Sequence, residues 1–140
     1  MIQNVIVDAG PLIALVDERE RYHGWVRSRF SEIVPPLRTC EAVLSEALFL
    51  AQRWSAGLPA ILGLFEKSAC SLDFALTPNF DEVSAKLQQY ADVPMALADA
   101  CLVRMSELVP NCTVLTLDQD FRIYRRHKRE RIPLLIPPDA

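Results

Sequence analysis

The chain has 140 residues, 51% of them hydrophobic and 24% charged, and carries a formal net charge of −3. That length suits one domain around one core, expected over residues 1–140, and the composition excludes a disordered chain. No window of eighteen apolar residues is free of charge and Met1-Ile2-Gln3-Asn4 lacks a basic signal region, so neither a membrane-spanning helix nor secretion is expected; the reading is cytoplasmic.

Residues 3–8 read as a short buried strand ending at Asp8. Ala9-Gly10-Pro11 then turns the chain, and Pro11 suits the first position of a helix, where no N–H is needed. Short helices over 12–16 and 22–32 follow, Pro35-Pro36 breaks the pattern, and 37–39 form a brief strand. Val43, Ala47, Leu50 and Trp54 recur at helical spacing and predict a helix over 41–54. Gly57 and Pro59 punctuate before a helix over 59–68. Residues 71–76 alternate as a strand does, and Thr77-Pro78-Asn79 caps a helix over 79–91. The next helix spans 94–108 with Pro94 near its start. Thr113 to Thr116 form a β-branched strand leading into Leu117-Asp118, followed by a short helix at 119–124 and a last strand at 134–136. Strands alternating with helices point to an α/β sandwich with a mainly parallel sheet.

Cys40, Cys70, Cys101 and Cys112 contain no C-x-x-C pair and lie far in sequence from both histidines, so buried free thiols are expected rather than a zinc site or disulfides. Cations are uneven: Arg122, Arg125, Arg126, Lys128, Arg129 and Arg131 fall close together near the C-terminus.

Certain acids stand alone in apolar surroundings. Asp8 is the only charged residue among positions 1–16, Glu46 the only one between Glu41 and Arg53, and Asp99 the only one between Asp92 and Arg104. A buried ionised carboxylate is costly unless paired or metal-bound. Singly, each has an ordinary role: Asp8 and Asp118 as helix N-caps, Glu46 and Asp99 as partners of a buried Arg. As a set they say more. Asp8 and Asp118 both end strands, and function in parallel sheets gathers at the carboxyl ends. Four carboxylates converging there would repel one another and raise their pKa values, and Mg²⁺ or Mn²⁺ would relieve that repulsion. An all-carboxylate set without His or Cys suits a hard cation and argues against zinc. Such ions clamp phosphates and activate water, which suits phosphodiester hydrolysis without a protein nucleophile. His23 and His127 show no partner pattern and read as surface residues.

Four segments resemble the motifs of the PIN domain family: Val5-Ile6-Val7-Asp8-Ala9-Gly10-Pro11-Leu12, Thr39-Cys40-Glu41-Ala42-Val43-Leu44-Ser45-Glu46-Ala47, Met95-Ala96-Leu97-Ala98-Asp99-Ala100 and Thr116-Leu117-Asp118-Gln119-Asp120-Phe121. The order and spacing cover about residues 3–136. The resemblance implies a PIN-like three-layer α/β/α sandwich and a Mg²⁺- or Mn²⁺-dependent endoribonuclease of the VapC toxin type, a homodimer held inactive by a cognate antitoxin. It implies Asp8, Glu46 and Asp99 as metal ligands, Asp118 completing the site directly or through water, and Asp120 as an extra ligand or a cap before Phe121. Glu41 rivals Glu46 but suits the positive end of its helix better. Two positions depart from the pattern: Gly10 stands where many relatives carry Ser or Thr, and Ala96 where they often have Asp or Ser. Neither removes one of the four acids.

The basic stretch after the fourth motif reads mainly as a solvated surface segment; cations near an acidic site would also help position RNA phosphates, and Tyr124 either stacks on a base or packs on the core. The apolar residues Leu48, Phe49, Trp54, Leu58, Ile61, Leu62, Leu64 and Phe65 divide between core and a groove for a partner helix. The competing reading is a catalytically weak PIN module that binds RNA or protein. A receiver-like domain lacks its lysine after a late strand, and a haloacid-dehalogenase-type phosphatase is excluded by Gly10, where a second Asp would stand.

Overall fold

Val5, Ile6 and Val7 are fully buried, which is why an unbroken β-branched run, not an alternating one, forms the middle strand of the sheet. The computed structural model describes residues 1–140. In chain order the elements are β1 (Val5–Val7), α1 (Ala9–Val16), α2 (His23–Phe30), β2 (Leu37–Thr39), α3 (Glu41–Ala51), α4 (Gly57–Glu66), β3 (Cys70–Leu72), α5 (Phe80–Gln89), α6 (Leu97–Leu108), β4 (Thr113–Leu115), β5 (Arg125–Arg126), β6 (Glu130–Arg131) and β7 (Leu134–Leu135). Turns of 3₁₀ helix lie at Thr77–Asn79 and Gln119–Arg122.

Five strands form one parallel sheet in the order β3-β2-β1-β4-β7, and β5 and β6 make a separate antiparallel hairpin. Helix α1 packs on α2, α3 and α4, while α6 packs on β1, β4 and α5. This is the expected three-layer α/β/α sandwich. One cluster of 28 buried residues holds the layers together, and all four cysteines are buried free thiols within it.

Several boundaries move for local reasons. Helix α1 begins at Ala9, ahead of Pro11, because Asp8 caps it: its Oδ1 accepts from the Ala9 N–H at 2.7 Å. Pro11 then sits within the first turn, where a missing N–H still costs nothing. Helix α3 stops at Ala51 rather than 54. The start of α4 crowds its end so closely that a Cβ on Gly57 would lie 2.1 Å from the Ala51 carbonyl oxygen, so only glycine fits there. Strand β3 ends at Leu72, and Phe74 and Leu76 pack on the core without continuing it. Helix α6 starts at Leu97, not 94, with Ala96 as its N-cap residue. The hairpin β5–β6 was not expected: the short helix at 119–124 is a 3₁₀ turn at Gln119–Arg122, and the chain then enters β5.

Candidate active site

Strand register brings the first acid to its neighbours. Val7 lies opposite Leu115, and the ladder continues as the Asp8 N–H donates to the Leu115 carbonyl at 3.0 Å. That places Asp8 beside Thr116, whose hydroxyl donates to Asp8 Oδ2 at 2.8 Å. The same hydroxyl accepts the Asp118 N–H at 3.0 Å, and Asp118 Oδ1 accepts the Asp120 N–H at 2.8 Å. Thr116, fully buried, thus ties the ends of β1 and β4 together. Asp8 and Asp118 are indeed caps; capping consumes part of each carboxylate and leaves acceptor capacity over.

Two helices bring the other acids. Asp99 is in the first turn of α6, which descends antiparallel to β4, so its N-terminus lies at the carboxyl end of the sheet. Asp99 Oδ2 accepts from the Ala96 N–H and the Tyr124 hydroxyl, each at 3.2 Å. Glu46 lies on α3, directly after β2. Its place corrects the sequence reading: α3 is apolar in sequence, but position 46 faces out and the residue is exposed. Asp99, Asp118 and Asp120 are half-buried and Asp8 is buried at 7% exposure.

The charges feel one another. Burial pushes Asp8 up to about 7, against the lowering effect of Thr116 and Ala9, with Asp99 and Glu46 adding repulsion. Partial burial also raises Glu46, helped by Asp99 and Asp118. Burial raises Asp99, opposed by Ala96 and Tyr124 and helped by Asp118 and Asp120. Burial and then Asp118 raise Asp120. None of the eight ion pairs in the molecule involves any of these five acids. The expectation that Glu46 or Asp99 pairs with a buried Arg fails. Glu41 stays outside this coupling. The donor set is all oxygen, negative and unneutralised, which fits Mg²⁺ or Mn²⁺. The acids are neighbours, not a closed cage: no three His, Cys, Asp or Glu side chains already enclose a common point.

The basic stretch is placed differently from the simplest expectation. Arg125 donates to the carbonyls of Arg122, Ile123 and Tyr124, and Arg126 to the Ser106 carbonyl and Glu130. The hairpin turn is pinned where the His127 N–H meets Glu107, about 12 Å along α6 from Asp99. Lys128 and Arg129 are therefore displayed at the far end of that helix and are exposed. Tyr124 is not free to stack on a base, being fully buried against Tyr90 and Phe121. His23 is half-buried and donates from Nδ1 to the Ala14 carbonyl at 2.7 Å, so it is a structural residue rather than a surface one.

Sequence reasoning missed two contributors, Thr116 and Tyr124. The first was readable in principle, because pairing β1 with β4 puts Thr116 beside Asp8. For the second, packing on the core was one of the two readings the sequence offered and it holds, but the contact with Asp99 had no signal in the chain, because only the route through the 3₁₀ turn brings the hydroxyl back to α6.

The sequence profile of the PIN domain family matches residues 5–126, a span that contains all five acids. No curated protein matches by sequence. Among solved structures the fold is similar to the crystal structure of Mycobacterium tuberculosis VapC20, described as a sarcin–ricin loop cleaving toxin. The TM-score is 0.69 at 16% identity, over 84% of this chain and 92% of that one, a likeness of fold. The matched span joins the four acidic motifs to this sheet, and the chain belongs to the PIN domain family.

Proposed function

We propose that the chain is a Mg²⁺- or Mn²⁺-dependent endoribonuclease, the toxin of a VapBC-type toxin–antitoxin pair. The observation that carries this reading is a set of neighbouring carboxylates, Asp8 buried, Asp99, Asp118 and Asp120 half-buried and Glu46 exposed at their edge, that repel one another and that no Lys or Arg side chain pairs. Elsewhere the same fold pairs its buried acid, Glu107, with Lys86 and Arg104.

In this reading Asp8, Glu46 and Asp99 hold the ion and Asp118 completes its shell, with Asp120 an additional ligand. The ion, when bound, lowers the pKa of a water and neutralises charge on the leaving oxygen. The protein's part is to keep the carboxylates ready. Thr116 and the Ala9 N–H each take one oxygen of Asp8 and fix its rotamer. Near neutral pH Asp8 is partly protonated, so loading the site releases a proton and weakens as pH falls. Membership of the PIN domain family and a fold similar to that of a sarcin–ricin loop cleaving toxin support RNA as substrate. Phe49, Leu58 and Leu62 stay exposed on α3 and α4, while Ile61 is fully buried. The exposed three support an apolar face for the antitoxin or a second copy. No helix is long and apolar enough to cross a membrane; we place the protein in the cytoplasm.

The open arrangement of the acids favours one second reading, a module that binds RNA without cutting it. The deciding test incubates antitoxin-free protein with structured and single-stranded RNAs in Mg²⁺, Mn²⁺ or EDTA, beside Asp8→Asn and Asp99→Asn. Metal-dependent cleavage absent from both variants is expected. RNA retention without cleavage by folded protein in every metal would select the binding module.

A further inference from the structure

We infer that Tyr124 is a positioning residue for Asp99: its buried hydroxyl fixes one carboxylate oxygen and leaves the other for the cation. The inference rests on the proposed metal site. Asp99 Oδ2 accepts two hydrogen bonds, from the Tyr124 hydroxyl and the Ala96 N–H, both at 3.2 Å. Oδ1 accepts none from the protein. With both donors on one oxygen, the carboxylate plane is set and the free oxygen has a defined direction. Groups that orient a ligand in this way typically change metal affinity by ten- to a hundredfold.

The tyrosine is itself held from three sides. Its ring meets Tyr90 and Phe121 edge-on, with centroids 5.1 Å away in each case. Its N–H donates to the Asp120 carbonyl at 3.2 Å, and the next N–H, of Arg125, donates to the Tyr90 hydroxyl at 3.0 Å. Arg125 Nη1 gathers the carbonyls of Arg122, Ile123 and Tyr124 and closes the turn. A site that is completely buried and aromatic on two sides would accept phenylalanine with no polar atom to satisfy. The only hydrogen bond of the hydroxyl goes to Asp99, so the oxygen at this position serves that acid.

The test titrates Mn²⁺ by calorimetry into the wild-type chain, Tyr124→Phe, Tyr90→Phe and Asp99→Asn, with thermal unfolding of each. Tyr124→Phe should bind Mn²⁺ about tenfold more weakly while unfolding near the wild-type temperature. Tyr90→Phe, which keeps the ring but removes the hydroxyl that accepts the Arg125 N–H next to Tyr124, without touching Asp99, should bind as wild type does. Asp99→Asn should bind most weakly. In the unmutated chain, a tyrosine ultraviolet difference signal should saturate with the Mn²⁺ isotherm, a readout that stands even if a variant fails to fold. Wild-type affinity in Tyr124→Phe, an equal loss in Tyr90→Phe, or no tyrosine signal on binding would each overturn the inference and leave the metal site standing, whereas wild-type affinity in Asp99→Asn would overturn the inference and also remove Asp99 from the proposed ligands. A wild-type chain that binds no Mn²⁺ would overturn the metal site, and this inference with it.

Discussion

Helix α6 carries a carboxylate near each end, and the fold treats the two differently. At the C-terminal end the Glu107 side chain is 6% exposed, yet it meets Lys86 at 3.0 Å, Arg104 at 3.1 Å and the His127 N–H at 2.7 Å. Burial works to raise Glu107, but the His127 amide, Lys86 and Arg104 together hold it below the usual carboxylate range. At the N-terminal end Asp99 receives two neutral donors, no cation, and two acidic neighbours, Asp118 and Asp120, and burial together with that repulsion raises it. Packing alone thus does not explain the acidic end. The chain neutralises a buried acid when the role is architectural, and an acidic group left uncompensated in the same helix marks a place where something else supplies the charge.

The largest expected effect breaks the comparison at the acidic end. Asp8→Asn or Asp99→Asn should reduce metal-dependent RNA cleavage about a thousandfold, the loss of several kcal/mol of charge stabilisation. Single-turnover cleavage rates check it, and cleavage persisting in both variants would remove these acids from the site. Next comes the architectural end. Glu107→Gln strands Lys86 and Arg104 with half-buried charge and should cost about 2–3 kcal/mol in denaturant unfolding, discounted from a fully buried pair because Arg104 is partly solvated, while Mn²⁺ affinity stays unchanged.

Proton linkage sharpens the contrast. Burial pushes Asp8 up to about 7 from the ordinary carboxyl value of 3.8, so between those values the folded chain binds more protons than the unfolded one. The metal-free protein should gain stability as pH falls from 8 towards 4, and Asp8→Asn should flatten that part of the profile. Thr116→Val removes a donor that lowers Asp8, so it should move the transition to higher pH. Glu107 runs the other way, its contribution being lost as pH falls through its lowered pKa. Thermal unfolding across pH in EDTA separates the two. The smallest effect concerns position 10. A Cβ there would meet Leu117 at 3.6 Å, an ordinary contact, so Gly10→Ser should fold normally, gain about half a kcal/mol as a better helix former, and change Mn²⁺ affinity upward if anything.

The sequence exposes the parts of this molecule governed by local rules. β1, β4 and β7 are short, mainly apolar runs bounded by turn residues, β2 is a brief Leu-Arg-Thr run set off by Pro35-Pro36, and each was legible within a residue or two. The isolated acids were legible because a lone charge in an apolar segment has few stable explanations. Exposure was not. Glu46 stands in a helix whose composition suggests core, and only the packing of α3 shows that position facing out. The bond from Tyr124 to Asp99 and the β5–β6 hairpin were hidden for a related reason: a run rich in Arg reads as solvated surface until Arg125 and Arg126 are seen donating to carbonyls. Helix starts shifted wherever a cap residue outranked proline as the boundary, as at Asp8 and Ala96.

The Thr116–Asp8 bond joins positions 108 residues apart, across the two middle strands of the sheet. β4 is the fourth of five strands to be synthesised yet occupies a place beside the first. A ribosome therefore delivers Asp8 and Glu46 long before, and Asp99 shortly before, the strand that pairs with β1, and no nascent fragment ending before residue 113 has the register that seats Asp8. For the proposed nuclease this sets an expectation: a growing chain that lacks β4 also lacks the Thr116 bond that seats Asp8, so its site should stay incomplete until the long-range pairing of β1 with β4 has formed.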